Sequence, residues 1–490
     1  METNTKSRNK LFALYSAWLI PVIFFSINPS YEPEYWPTYL ALLISILLGL
    51  LDKKFFAFCI PFIVTLGPLA ISARPFNLLP PDLYILVCFV IGLVAFVLKG
   101  KLKIRLIRGD HYLIGILLVV LISYLLSFEI FNLSKSIVSW VIIITVFALT
   151  RSLLSTSEDL SNYFTVIIIS SFFLSLIGLS SFYSGINLSD FMDPALERKS
   201  KLEQEDFKYF LRLSSFYANS LYLIGPAAFL SLIRTIEEKK IFQKLILGSL
   251  TVFFIVILLM MQEKTGLVAL FLSILMLFLM KIALPNKKRK RMNVNNYLMV
   301  FLASLFLAFS YVLISDLPLY NLTFSSFAQR MCIFSSTIDV LYANPQYLFF
   351  GFGPDSSLLL NNDFTSQAQT GCINDGIYKP GQEGAIDGGW MTFLFEYGLI
   401  FVLLLLIFTL SSLKIIYSLL RKYSSVRPIL FSLFGVLIFI NIAALSDVVG
   451  TSKMSWIIAQ NYALIGICTT KDFLKKTEKR ERDKPTIGYA

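Results

Sequence analysis

Long apolar runs alternate along the chain with short polar intervals. LFALYSAWLIPVIFFSI, YILVCFVIGLVAFVL, YLIGILLVVLISYLL and FIVILLM are typical. A helix needs about 20 apolar residues to cross a bilayer core of roughly 30 Å. These runs are slightly shorter, but they end in Tyr, Trp, Lys and Arg, whose polar tips reach the interface. They are too many for buried helices of a soluble protein, and they lack its polar face. The pattern predicts an all-α polytopic membrane protein with about 14 transmembrane helices. The spans fall roughly at 11–27, 37–51, 55–71, 83–98, 112–128, 136–150, 162–181, 213–233, 245–261, 266–284, 297–315, 389–409, 429–446 and 454–469. The sixth, SIVSWVIIITVFALT, is short enough to be re-entrant.

The intervals divide the chain further. An N-terminal transmembrane bundle covers 1–181 and a polar loop 182–212. Helices return over 213–315, a large loop follows at 316–388, C-terminal helices occupy 389–469, and a basic tail closes at 470–490. The loops at 182–212 and 316–388 are the long ones. Loops of that length are usually functional or disordered, and the apolar residues of the second argue for order. Within it, SSFAQRMCIFSSTIDVLYA spaces Phe327, Met331, Phe334, Ile338 and Leu341 as one helical face. This predicts a short amphipathic helix lying on the bilayer or capping a cavity.

Charge orients the array. The 490 residues carry 43 Lys and Arg and a net charge of +12. With the N-terminus cytoplasmic, only Arg74, Lys135, Arg198, Lys199, Lys201, Lys208, Arg212, Lys264, Arg330, Lys379 and Lys453 fall outside. Positive residues favour the cytoplasm, so both termini are expected there and both long loops are expected to be extracytoplasmic. KKRKR, which alone would pass for a nucleic-acid patch, is a topology anchor between two spans, and no nucleic-acid partner is expected. The first span has a basic flank but no small-residue cleavage pattern, and is expected to remain as an uncleaved anchor.

Five cysteines are present. Cys59, Cys88 and Cys468 fall in or near spans and are expected to be apolar fillers. Cys332 and Cys372 share the large loop, where an oxidising exterior permits a disulfide. No clustering of His and Cys suggests a metal site.

The chemistry concentrates on the predicted outer face. Arg330 lies on the amphipathic segment, Arg212 closes the other long loop, and Lys264 sits in a tight outer turn. Each alone is equally a headgroup contact. Together, flanking both loops, they look like a site for an anion near the bilayer, since a guanidinium fork matches phosphate oxygens. In FFGFGPDSS, Gly351 and Gly353 permit close backbone approach or positive φ, or simply a tight turn. The loop ends in EGAIDGGWMTFLFEYGL. Asp387 stands at the mouth of the late span and Glu396 about two and a half turns beyond it. A carboxyl at that depth is a functional-site candidate, or one half of a structural pair. Glu383 and Asp375 are further acidic candidates.

Taken in order, these features resemble the O-antigen ligase and Wzy-type O-antigen polymerase superfamily. The pattern is Arg212 opening a span in LRLSSFYANSLYL, a tight turn before GLVAL, Arg330 in a long loop, then GFG, then GGWMTFLFEYGLI behind a polar residue. It covers roughly residues 205–405. The resemblance implies a GT-C-like glycosyltransferase, independent of metal and cofactor. It would use undecaprenyl-diphosphate-linked glycans as donor and acceptor on the outer face of a bacterial inner membrane. By position it assigns the diphosphate to Arg212 and Arg330, the glycine pair to Gly351 and Gly353, and the late E-x-G to Glu396 and Gly398. Where the family often has Ser-Arg in the tight turn, this chain has Lys264-Thr265. Ligases carry a histidine near the start of the late span, and here Asp387-Gly388 stands there, which points to a polymerase. The catalytic carboxylate is then Asp387 first, Glu396 second. A chain-length regulator is a partner this reading admits. Rival readings are a ligase, a lipid-linked oligosaccharide flippase and a membrane scaffold.

Overall fold

The computed structural model describes residues 2–27, 36–66, 84, 87, 88, 90, 110–126, 133–184, 221–261, 264–283, 335–353, 356, 389–423, 426–444, 454–470, 473 and 474. Among them the regular elements are all helical, without a strand. In chain order they are α1 (Glu2–Ile27), α2 (Trp36–Leu51), α3 (Phe55–Phe58), α4 (Ile60–Leu66), α5 (Asp110–Leu126), α6 (Leu133–Leu153), α7 (Ser157–Ser184), α8 (Leu221–Glu237), α9 (Ile241–Met260) and α10 (Lys264–Ala283). Then come α11 (335–343), α12 (Pro345–Leu348), α13 (Gly389–Lys422), α14 (Arg427–Ala443) and α15 (Met454–Cys468). Ser157–Ser180 of α7, α9 and α13 are long and apolar enough to cross a membrane, and several others are shorter apolar helices. The expected span at 297–315 lies outside the described residues, as does most of 83–98.

Two elements differ in extent from the apolar runs that predict them. The sixth run is a continuous 21-residue helix, α6, starting three residues before the run and ending three after it. Its last turn carries Arg151, just past the apolar run, which ion-pairs with Asp110 of α5. The late helix extends well past residue 409 to Lys422, and Glu396 lies seven residues from its start at Gly389, about two turns in.

α7 is central, with 67% of its most apolar window buried, whereas α9 is peripheral at 22%. α8 packs against α7, α9 and α14, α10 against α14, α13 against α5, and α15 against α6. The α8–α14 contact interlocks. Gly225 of α8 lies under the ring of Phe439, and Gly435 of α14 under the ring of Phe229, so any Cβ at either glycine would overlap that ring. All four residues are i, i+4 pairs on antiparallel helices, and small residues at such crossings let backbones approach closely.

The bundle has two unlike ends. At one, charged side chains join the helices: Lys10 of α1 to Asp52 at 3.3 Å, Lys54 to Asp159 of α7 at 2.7 Å, and Arg151 to Asp110. Asp159 also caps α7. Its carboxylate accepts the N–H groups of Ser155 and Thr156 at 3.0 and 2.9 Å, while its own N–H donates to Thr156 Oγ1, a reciprocal capping box. Arg234 of α8 donates to Thr165 Oγ1 at 2.7 Å and to the Ser161 carbonyl at 2.6 Å. Glu238, between α8 and α9, accepts the N–H groups of Lys240 and Lys239, which hold its carboxyl below the usual range. At the opposite end main-chain hydrogen bonds join two segments directly, and the candidate site lies there.

Candidate functional site

The apolar run that forms α13 is interrupted once. Gly398 adopts φ 78° and ψ −178°, a conformation that breaks the helix and that favours glycine. A break inside an apolar helix strands backbone groups, and at membrane depth these must be satisfied by protein. The segment Phe349–Gly353 does this. The Phe352 N–H donates to the Phe395 carbonyl at 2.9 Å and the Gly353 N–H to the Glu396 carbonyl at 3.0 Å. The Ile400 N–H donates to the Phe349 carbonyl at 3.3 Å. In an unbroken helix Leu399 and Ile400 would serve those two carbonyls. Loop backbone therefore stands in for the missing helical turn.

Two glycines make the seam possible. Gly351 has φ 73° and packs on the main chain of Glu396 and Tyr397, and Gly398 packs on that of Phe349 and Phe350. A methyl at either would fall inside main-chain atoms of the facing segment, in addition to its strained φ. Gly353 has φ 104°, and its carbonyl accepts the Ser356 hydroxyl at 2.6 Å.

Side chains clamp the seam. Val340 and Leu341 of α11 form a small cluster with Phe352, Met391 and Phe395, with Tyr347, Leu348 and Leu394 against it. Rings meet in series, Tyr347 stacked on Phe352 and Phe352 tilted against Phe395, at centroid separations of 4.5 and 4.6 Å. Thr337 is buried with Val340 and Leu341, an i, i+3, i+4 face, and Tyr342 points outward. From the bundle side, Ser123 of α5 donates to the Glu396 carbonyl at 2.8 Å, and Trp140 Nε1 of α6 donates to Tyr397 Oη at 3.0 Å.

Of the residues singled out in the sequence, the structure brings Gly351, Gly353, Glu396 and Gly398 into one contact. Glu396 is wholly buried at the break. Lys264 is the first residue of α10, and its side chain is outside what is described. Arg212, Arg330, Asp387, Cys332 and Cys372 also lie outside the described residues. Cys59, Cys88 and Cys468 are buried free thiols. Among the described residues no three His, Cys, Asp or Glu side chains are grouped to hold a metal ion. The sequence reading missed Ser123, Trp140 and Tyr397. Their only signal was a polar or aromatic residue within an apolar run, which is too common to single them out. No protein-family model and no curated protein matches this chain.

Proposed function

We propose that this chain is a membrane glycosyltransferase that polymerises undecaprenyl-diphosphate-linked oligosaccharide units into a surface polysaccharide, O-antigen or capsule. It would work on the outer face of the bacterial inner membrane, with about 14 spans in a GT-C-like arrangement and both termini cytoplasmic. The observation that carries the reading is the seam itself. Two motifs some 45 residues apart, GFG and E-x-G, dock backbone to backbone and enclose a carboxyl. The proposed topology is supported by the ion-paired end, which matches the expected cytoplasmic side. Trp36, Trp140 and Trp390 instead lie toward the other end of their helices, as interfacial tryptophans do.

In this reading Arg212 and Arg330, assisted by Lys264, meet the charge that develops on the leaving diphosphate. An acceptor sugar hydroxyl attacks the anomeric carbon of the donor. The bond from that carbon to the diphosphate oxygen breaks, undecaprenyl diphosphate departs, and the hydroxyl proton passes to Asp387 or Glu396. Tethering both substrates in the membrane supplies proximity. Arg212→Ala and Arg330→Ala are expected to abolish chain growth at normal expression, read on a surface-glycan gel. Wild-type chain lengths in both variants would defeat the proposal.

One observation favours a second reading. Discontinuous helices are a mark of transporters, and α13 is broken, so a lipid-linked oligosaccharide flippase is the alternative. Deletion separates the two. Loss of a polymerase leaves a single repeat unit on its surface acceptor, whereas loss of a flippase traps the unit on the cytoplasmic side.

A further inference from the structure

Serines inside helices usually bond back to the carbonyl four residues earlier. Ser45, Ser175 and Ser273 do so here, to Ala41, Ser171 and Ala269 at 2.7–2.8 Å. Ser123, wholly buried near the end of α5, reaches across to another helix and donates to the Glu396 carbonyl. That oxygen is open to it because the break at Gly398 sends the Ile400 N–H to Phe349 instead. The Glu396 oxygen thus takes two donors, the Gly353 amide and the Ser123 hydroxyl, one for each lone pair. The next residue is held separately. The Trp140 indole donates to the Tyr397 hydroxyl and meets its ring edge-on at 5.7 Å. Consecutive residues at the break are therefore fixed from three elements: the 349–353 loop, α5 and α6.

We propose that Ser123 and Trp140 are positioning residues for the carboxyl of Glu396. Neither touches the carboxyl. By holding the main chain of 396 and the side chain of 397, they fix the direction in which the Glu396 side chain leaves the backbone. The inference rests on the reading of Glu396 as a carboxylate of a glycosyl-transfer site. A displacement of about 1 Å in such a group costs on the order of 10²-fold in rate. A purely structural serine would instead lower the amount of folded protein and leave turnover per molecule intact.

The test uses the full-length protein in vesicles, with a synthetic undecaprenyl-diphosphate-linked oligosaccharide as probe and a ladder gel as readout. Ser123→Ala is expected to lower kcat on the order of 10²-fold with KM nearly unchanged, and Ser123→Thr, which restores the hydroxyl, to recover most of it. Trp140→Phe keeps a ring without the N–H and is expected to fall between. Wild-type kcat in Ser123→Ala, or a loss that only tracks folded protein, overturns the proposal. Hydrogen exchange at the Phe352 and Gly353 amides provides a readout independent of activity. If wild-type vesicles build no ladder, the polymerase reading fails, and the exchange result then decides the positioning role. Exchange about tenfold faster at both amides in Ser123→Ala, with the melting temperature unchanged, supports it. Unchanged exchange overturns it.

Discussion

The two ends of the bundle are tied by different chemistry. At the charged end, side chains do the joining: Lys10–Asp52, Lys54–Asp159 and Arg151–Asp110. At the glycine end, main chain pairs with main chain where two glycines lack a Cβ, and Ser123, Trp140 and a small aromatic cluster clamp that pairing. The first kind of joint depends on what a residue carries and the second on what it lacks. Ion pairs tolerate redesign when both partners change together. A backbone seam between Gly351 and Gly398 tolerates no Cβ on either side.

The largest effect is expected at the seam. Gly398→Ala or Gly351→Ala adds a positive-φ strain of about 1–3 kcal/mol to a main-chain overlap. Either should undock the loop and eliminate chain growth, measured as protease sensitivity of residues 335–353 beside the ladder assay. Protection and ladders equal to wild type would break the comparison.

The next effect belongs to the charged end. Arg151 and Asp110 are both buried, with Arg151 also over the Phe147 ring at 4.5 Å and near the Ala463 carbonyl. Asp110→Ala leaves a buried cation and should cost about 3–5 kcal/mol in detergent-solubilised stability. The double variant Asp110→Leu, Arg151→Met should melt closer to wild type than either single change, which shows that this joint is exchangeable. Glu396→Gln sharpens the contrast: it preserves shape and should leave the melting temperature nearly unchanged while reducing chain growth. The smallest effect is Lys54→Ala. Its side chain is 39% exposed, so about 0–1 kcal/mol is expected. Asp159→Ala also removes the α7 cap and should cost more, about 1 kcal/mol further.

Much of the helix inventory was legible in the apolar runs. Apolar segments and their polar intervals mark where most described helices lie, though α1 starts nine residues earlier and α13 ends 13 residues later than the runs alone place them. What joins them was not legible. Lys54 and Asp159 are 105 positions apart, and no local period links them. The break in α13 was hidden because WMTFLFEYGLIFVLLLLIF reads as one uninterrupted apolar run, in which a single glycine is unremarkable. GFG and E-x-G were each visible, but that one repairs the other is a property of folded backbone. Ser123 was invisible because a serine in a helix ordinarily satisfies itself.

The crossed Gly–Phe contacts of α8 and α14 bear on how such a protein moves. Each aromatic ring occupies the notch left by the partner's missing side chain, so sliding one helix along the other would require both rings to withdraw together. These two helices therefore travel as a single rigid strut. Under the proposed function, the opening that a lipid-borne sugar needs comes from elements around this strut rather than from sliding within it.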